Sequence, residues 1–280
     1  MTAATSETLT GRVWRALATV VDPELDEPIT GLGFVSDVQV RLHDDGGHAV
    51  AVRLRLPTSL PKRPEASRPG TATGPENCLL PAGLVSTGTV CAPNFAYLMV
   101  ADAHDAVLAL PSVGTVEVVL EDHFAAEEIN AGVAASSGFS GSFPGQANGE
   151  LAELRLTFRR KAHLACLERA VRRLVGEGWQ IDALTAGRLG DVPESPERSS
   201  LLRRRAELGL PTDPGSPLLV EDTGEAIAPD RVAARLRFAK AVRVSIEGNA
   251  GLCRGLLHTR YPHIAEEARI AGTAREEVSP

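Results

Sequence analysis

The chain has 280 residues, is 43% hydrophobic, carries a formal net charge of -7 and has a mean hydropathy of -0.04. That is enough apolar material for at least one good core, and the length suggests two folding units. No apolar run reaches the roughly 20 residues of a membrane-spanning helix, and the start "MTAATSETLTGRVW" has neither the basic nor the apolar region of a secretion signal, so the expected location is cytoplasmic, with no membrane partner.

Charge is distributed unevenly. Residues 1–150 hold 8 Lys and Arg against 18 Asp and Glu, a net of -10, whereas residues 151–280 hold 21 against 18, a net of +3. An acidic first half argues against general nucleic-acid binding, although "RVAARLRFAKAVR" (231–243) makes a basic ridge if helical. Cys78, Cys91, Cys166 and Cys253 are widely separated with no C-x-x-C pair, which points away from a zinc ribbon or a disulfide framework.

In chain order, residues 7–20 place Val13, Trp14, Leu17 and Val20 at helical spacing, and Pro23 biases Asp22 out of helical geometry. Alternation then predicts strands through Phe34, Val38, Val40 and Leu42 and through Val50, Val52, Leu54 and Leu56, joined by a hairpin at "DDGG" (44–47). Residues 93–110 open with a proline suited to a first helical position and carry Ala96, Met99, Ala103, Val107 and Leu110 on one face. Pro111 ends that helix, and "VGTVEVVLE" (113–121) restores alternation. The expected N-terminal architecture is an αββαβ two-layer domain, one sheet with two helices on a face. Taken alone, Asp22-Pro23-Glu24 reads as a capped turn, with Asp as cap and an acid in the first turn. Gly31-Leu32-Gly33 is not a dinucleotide loop, because a strand rather than a helix follows it.

The combination is more specific than its parts. "DPELDEPITGLGFVSDVQV", a second strand ending "RLPT" (55–58), a cysteine ahead of a helix, and "LPSVGTVEVVL" together resemble the metal-sulfur cluster assembly family, which includes SufT-type and PaaD-type proteins. The resemblance covers roughly residues 7–125. It implies a pocket framed by the acid-proline-acid turn and the Leu-Gly turn beside one reactive cysteine, the matching positions being Asp22, Glu24, Leu32, Gly33, Thr58 and Cys91. It further implies transient handling of iron or an iron-sulfur cluster on behalf of a client metalloprotein. Because PaaD-type relatives accompany an oxygenase system, the implied client is an iron-dependent monooxygenase component. The chain departs from the family pattern at residues 59–90, a Pro- and Gly-rich insertion before Cys91 that contains Cys78 as a rival thiol. Cys91 is preferred, because it precedes a proline-started helix whose positive end favours thiolate.

Other ligand types are sparser. His123 follows the last strand near Glu127 and Glu128; His163 and Cys166 stand one turn apart; Cys253, His258 and His263 share "CRGLLHTRYPH". None has an established metal spacing. The Gly-, Ser- and Ala-rich segment 127–150 reads as a linker or a surface-hugging stretch, Phe139 and Phe143 suggesting that it docks. Residues 151–280 read as an α-helical domain for client binding, with helices over 151–175, 199–208 and about 229–259 and a Pro-rich break at "PTDPGSP". The fold expectation is thus α/β (α+β), in an assembly-like domain over 1–126 and a helical domain from 151. A metal-free chaperone for an oxygenase is the alternative function. A thiol enzyme is supported least, since no Cys-His signature is visible.

Overall fold

A computed structural model describes residues 8–42, 46–57, 91–144 and 151–262. The fold is α+β, in two compact units. Described residues 8–22, 27–144 and 252–262 form the first; residues 23–26 and 151–251 form the second.

In the first unit, helix α1 (Leu9–Leu17) starts where the Thr8 hydroxyl accepts from the Gly11 amide at 3.2 Å, and it buries Val13 and Leu17. It closes four residues before the end expected near Val21, through tight bonds from Thr19 to Ala16 and from Val20 to Leu17. Strands β1 (Val21–Asp22) and β2 (Glu27–Pro28) then pair antiparallel. Asp22 is therefore a strand residue facing Glu27, not the helix cap that Asp-Pro-Glu suggested. The long strands follow the alternation closely. β3 (Val35–Leu42) pairs antiparallel with β4 (His48–Arg55), and β5 (Val113–Glu121) lies parallel on the other side of β4. Residues 44 and 45 of the expected hairpin lie outside the described residues. A parallel neighbour requires a crossover, and helix α2 (Pro93–Leu108) provides it, burying Ala96, Met99, Val100, Ala103 and Val107. Val50, Val52, Leu54, Val118 and Leu120 are the buried side of the sheet.

The segment read as a linker is helical over much of its length. Helices α3 (Ala126–Ala134) and α4 (Gly138–Ser142) belong to the first unit, and α3 packs on both α2 and β5. Its Asn130 side chain accepts from the Leu120 amide at 2.9 Å and donates to the Leu120 carbonyl at 3.1 Å, satisfying backbone at the edge of β5. Phe139 meets Tyr97 edge-on with centroids 5.5 Å apart and lies 4.9 Å from Phe143. Docking by these aromatics fits the sequence reading; a linker boundary at residue 126 does not.

In the second unit, helices α5 (Ala152–Gly176), α6 (Pro196–Glu207) and α7 (Pro229–Arg260) are the long elements, α7 passing its last residues, 252–260, to the first unit. α6 begins three residues before the sequence suggested, at Pro196, with the Ser195 hydroxyl accepting from the Arg198 amide at 3.2 Å. The apolar side of α5 is buried from Ala162 to Leu174, while Leu154 and Phe158 are only partly covered. Leu167, Leu174, Leu189, Leu201, Leu218 and Val232 join its core. Arg205 is fully buried and donates to three carbonyls, Pro211 at 3.2 Å, Pro217 at 3.0 Å and Leu218 at 2.6 Å, so one guanidinium pins the Pro-rich break to α6. Burial, with no carboxylate partner among the described residues, brings its pKa down to about 10.

Candidate functional site

Parallel pairing puts the C-terminal ends of β4 and β5 side by side, the position where open α/β sheets commonly gather functional groups. Cys91 enters there. Its amide donates to the Pro57 carbonyl at 3.3 Å, just past β4, and two residues later Pro93 starts α2. The residue is partly exposed.

His123, beyond the end of β5, completes the arrangement. Its Nδ1 accepts from the Ala125 amide at 3.2 Å, so Nε2 carries the proton and donates to the Cys91 carbonyl at 2.8 Å. Both nitrogens are committed to backbone, and burial lowers the pKa below the ordinary histidine value, the bond to Cys91 opposing it. His123 is a neutral brace on the cysteine backbone rather than a waiting ligand. Phe124, about half exposed, stacks on the imidazole at 4.6 Å. Asp122, at φ 55°, accepts from the Tyr261 hydroxyl at 2.8 Å, and the Arg55 guanidinium lies 5.1 Å from the Tyr261 ring centre.

The remaining residues of the expected pocket divide. Asp22 is 5% exposed, on β1, against which α2 packs. Leu32 is buried, and Gly33 takes φ 77° in the turn before β3, a conformation suited to glycine. These two are legible as turn and core. Glu24 belongs with the second unit, where its carboxylate accepts from Asn249 at 3.2 Å. Thr58, Cys78 and His263 lie outside the described residues.

Asp26, which sequence reasoning passed over, is the buried acid of the turn. It sits at φ 57°, pairs with Arg204, and lies 4.0 Å from the Cys166 thiol. Burial pushes its carboxyl above the ordinary value, Arg204 acting against that. An Asp at a left-handed turn position was the available signal. Cys166 is buried, and burial with nearby Asp26 pushes its thiol up to about 11. His163, 2% exposed, is brought down to about 4 by burial and by Arg205 and Arg235, and its Nε2 has no hydrogen-bond partner among the described residues. This pair is held neutral, which suits a core better than a thiolate metal site. Cys253 and His258 are five residues apart on α7, about 140° around its axis, so they do not share a face.

Among the described residues no group of three or more His, Cys, Asp or Glu is gathered as a metal ion would require, and no helix is long and apolar enough to cross a membrane. Comparison with protein-family profiles, with curated proteins and with solved structures finds no match for this chain.

Proposed function

We propose that the chain is a cytoplasmic accessory factor that helps assemble an iron-sulfur cluster or iron centre in a client protein, with Cys91 as the thiolate that receives the cargo. The client suggested by the resemblance is an iron-dependent monooxygenase component. One observation carries the reading: Cys91 stands immediately before α2, at the paired ends of β4 and β5, with its carbonyl braced by His123. The helix N-terminus favours the charged form of a nearby thiol, the form that binds metal. Asp22, on the strand beside α2, supports that region. A single thiolate leaves coordination positions for cargo and client, as transient holding requires, and this use of Cys91 would be non-enzymatic.

The alternative, a metal-free chaperone, is favoured by the commitment of both His123 nitrogens, which removes the nearest histidine as a co-ligand. The same geometry disfavours a thiol enzyme, because His123 binds the carbonyl of Cys91 and supplies no base to its sulfur. Anaerobic purification with iron and sulfide analysis separates the first two. Cargo bound by the parent and lost in Cys91→Ala supports the assembly reading; equal content in both proteins overturns it.

A further inference from the structure

Residues 229–251 of α7 belong to the second unit and bury one seam, Val232, Ala239, Ile246 and Ala250, with Arg243 on the same side paired to Glu168. The opposite face is open. Phe238 and Val244 are 56% and 53% exposed, and Ala241, Ser245 and Gly248 between and beyond them are exposed as well. A Cβ at Gly248 would meet nothing within 4 Å. At 3.6 residues per turn these five positions, with Arg237 and Lys240, fall within an arc of about 160°.

Charge marks the face further. Elsewhere on this stretch Arg231 pairs with Glu221, Arg235 with Asp222, and Arg243 with Glu168 and Glu247. Arg237 and Lys240, exposed and three residues apart, have no ion-pair partner among the described residues. The open arc thus combines two large apolar side chains, small residues that allow close helix approach, and two unmatched cations.

We propose that this face docks an acidic amphipathic helix of a partner protein, with apolar side chains against Phe238 and Val244 and carboxylates on Arg237 and Lys240. Charge complementarity selects this occupant. Carboxylates three or four residues apart on a helix match two cations at the same spacing. A polybasic membrane contact uses about four to eight cations, and a nucleic-acid contact neutralises a longer row of phosphates. The inference goes beyond the assembly reading and does not depend on Cys91.

The test is fluorescence anisotropy of the full chain with a labelled synthetic helix carrying Leu along one face and Glu on its flanks, beside an isomer with Lys in place of Glu. The acidic peptide should bind and the basic one should not. R237E/K240E should weaken binding about tenfold or more, with R237Q/K240Q intermediate. Val244→Asp should weaken it as well, and the unfolding midpoints should stay unchanged because these side chains are exposed. Cys91→Ala should bind like the parent, which separates failure here from failure of the thiol reading. Absence of binding, equal binding of both peptides, or indifference to charge reversal overturns the proposal. So does tighter, R237E-sensitive binding to phosphatidylserine vesicles or to a single-stranded oligonucleotide. A parent dimer that R237E/K240E converts to monomer in sedimentation assigns the face to a second copy and likewise overturns it.

Discussion

His123 and His163 are both buried and both held neutral, yet they differ in what they satisfy. His123 uses each ring nitrogen, so His123→Leu removes a donor to the Cys91 carbonyl and the acceptor of the Ala125 amide. The expected loss is about 1–3 kcal/mol, read as a lowered denaturation midpoint. If the brace also sets the thiol's position, alkylation of Cys91 should change its pH profile, and His123→Gln, which keeps a donor, should restore it in part. A folded variant with an unaltered profile would confine His123 to a structural role.

His163 makes a sharper pH prediction. Its folded pKa of about 4 lies below the ordinary 6.5, so the unfolded chain binds more protons between those values. Stability is therefore complete above pH 6.5 and is lost as pH falls towards 4, by about 3 kcal/mol in all. His163→Leu should remove most of that slope, and equilibrium unfolding at pH 7.5 and pH 4.5 would measure it. An unchanged slope would mean that other groups control the acid limit.

At the scale of elements, ion pairs and caps decide how turns are held. The turn between β1 and β2 carries Asp26 against Arg204, both 7% exposed at the side chain. Asp26→Ala strands a buried guanidinium and should cost about 3 kcal/mol, the low end for a broken buried pair, because Glu207 still contacts Arg204 at 2.6 Å. Asp22→Asn tests the neighbouring acid differently. Asn keeps the size of the side chain and the paired backbone at β1, so the variant should still fold with a cooperative melt, and a loss of client maturation in the folded variant would then be due to the carboxylate itself. Arg205 plays a comparable part in α6. Arg205→Lys replaces two separated donor nitrogens of a planar fork with a single ammonium nitrogen that does not match the placement of the three carbonyls, and the expected cost is about 2 kcal/mol or more in equilibrium denaturation.

For the whole molecule, the expected division after residue 126 has a direct consequence. A fragment ending at Ala126 lacks Ile129, Val133 and Phe143, all buried in the first unit, as well as Tyr261, whose hydroxyl reaches Asp122. Such a fragment should bind a hydrophobic dye and show no cooperative melt. A sharp transition comparable to that of the full chain would show that the sheet and α2 form a sufficient core alone.

What the chain determines by itself is periodicity. Alternation through Val50, Val52 and Leu54, the Pro93 start of α2 and the 113–121 strand were legible because local backbone preference and burial agree there. The α+β class and the placement of Cys91 before a helix follow from those elements. Tertiary structure alone decided the partners of buried polar groups. Cys91 and His123 are 32 residues apart, Asp122 and Tyr261 139, and Asp26 and Arg204 178. Nothing in local spacing says which distant charge will compensate a buried one, so Asp22 read as a cap, Asp26 went unnoticed, and the helices of 126–142 read as linker. Unit boundaries were no more legible, since residues 23–26 group with the second unit and 252–262 with the first through contacts that are distant in sequence.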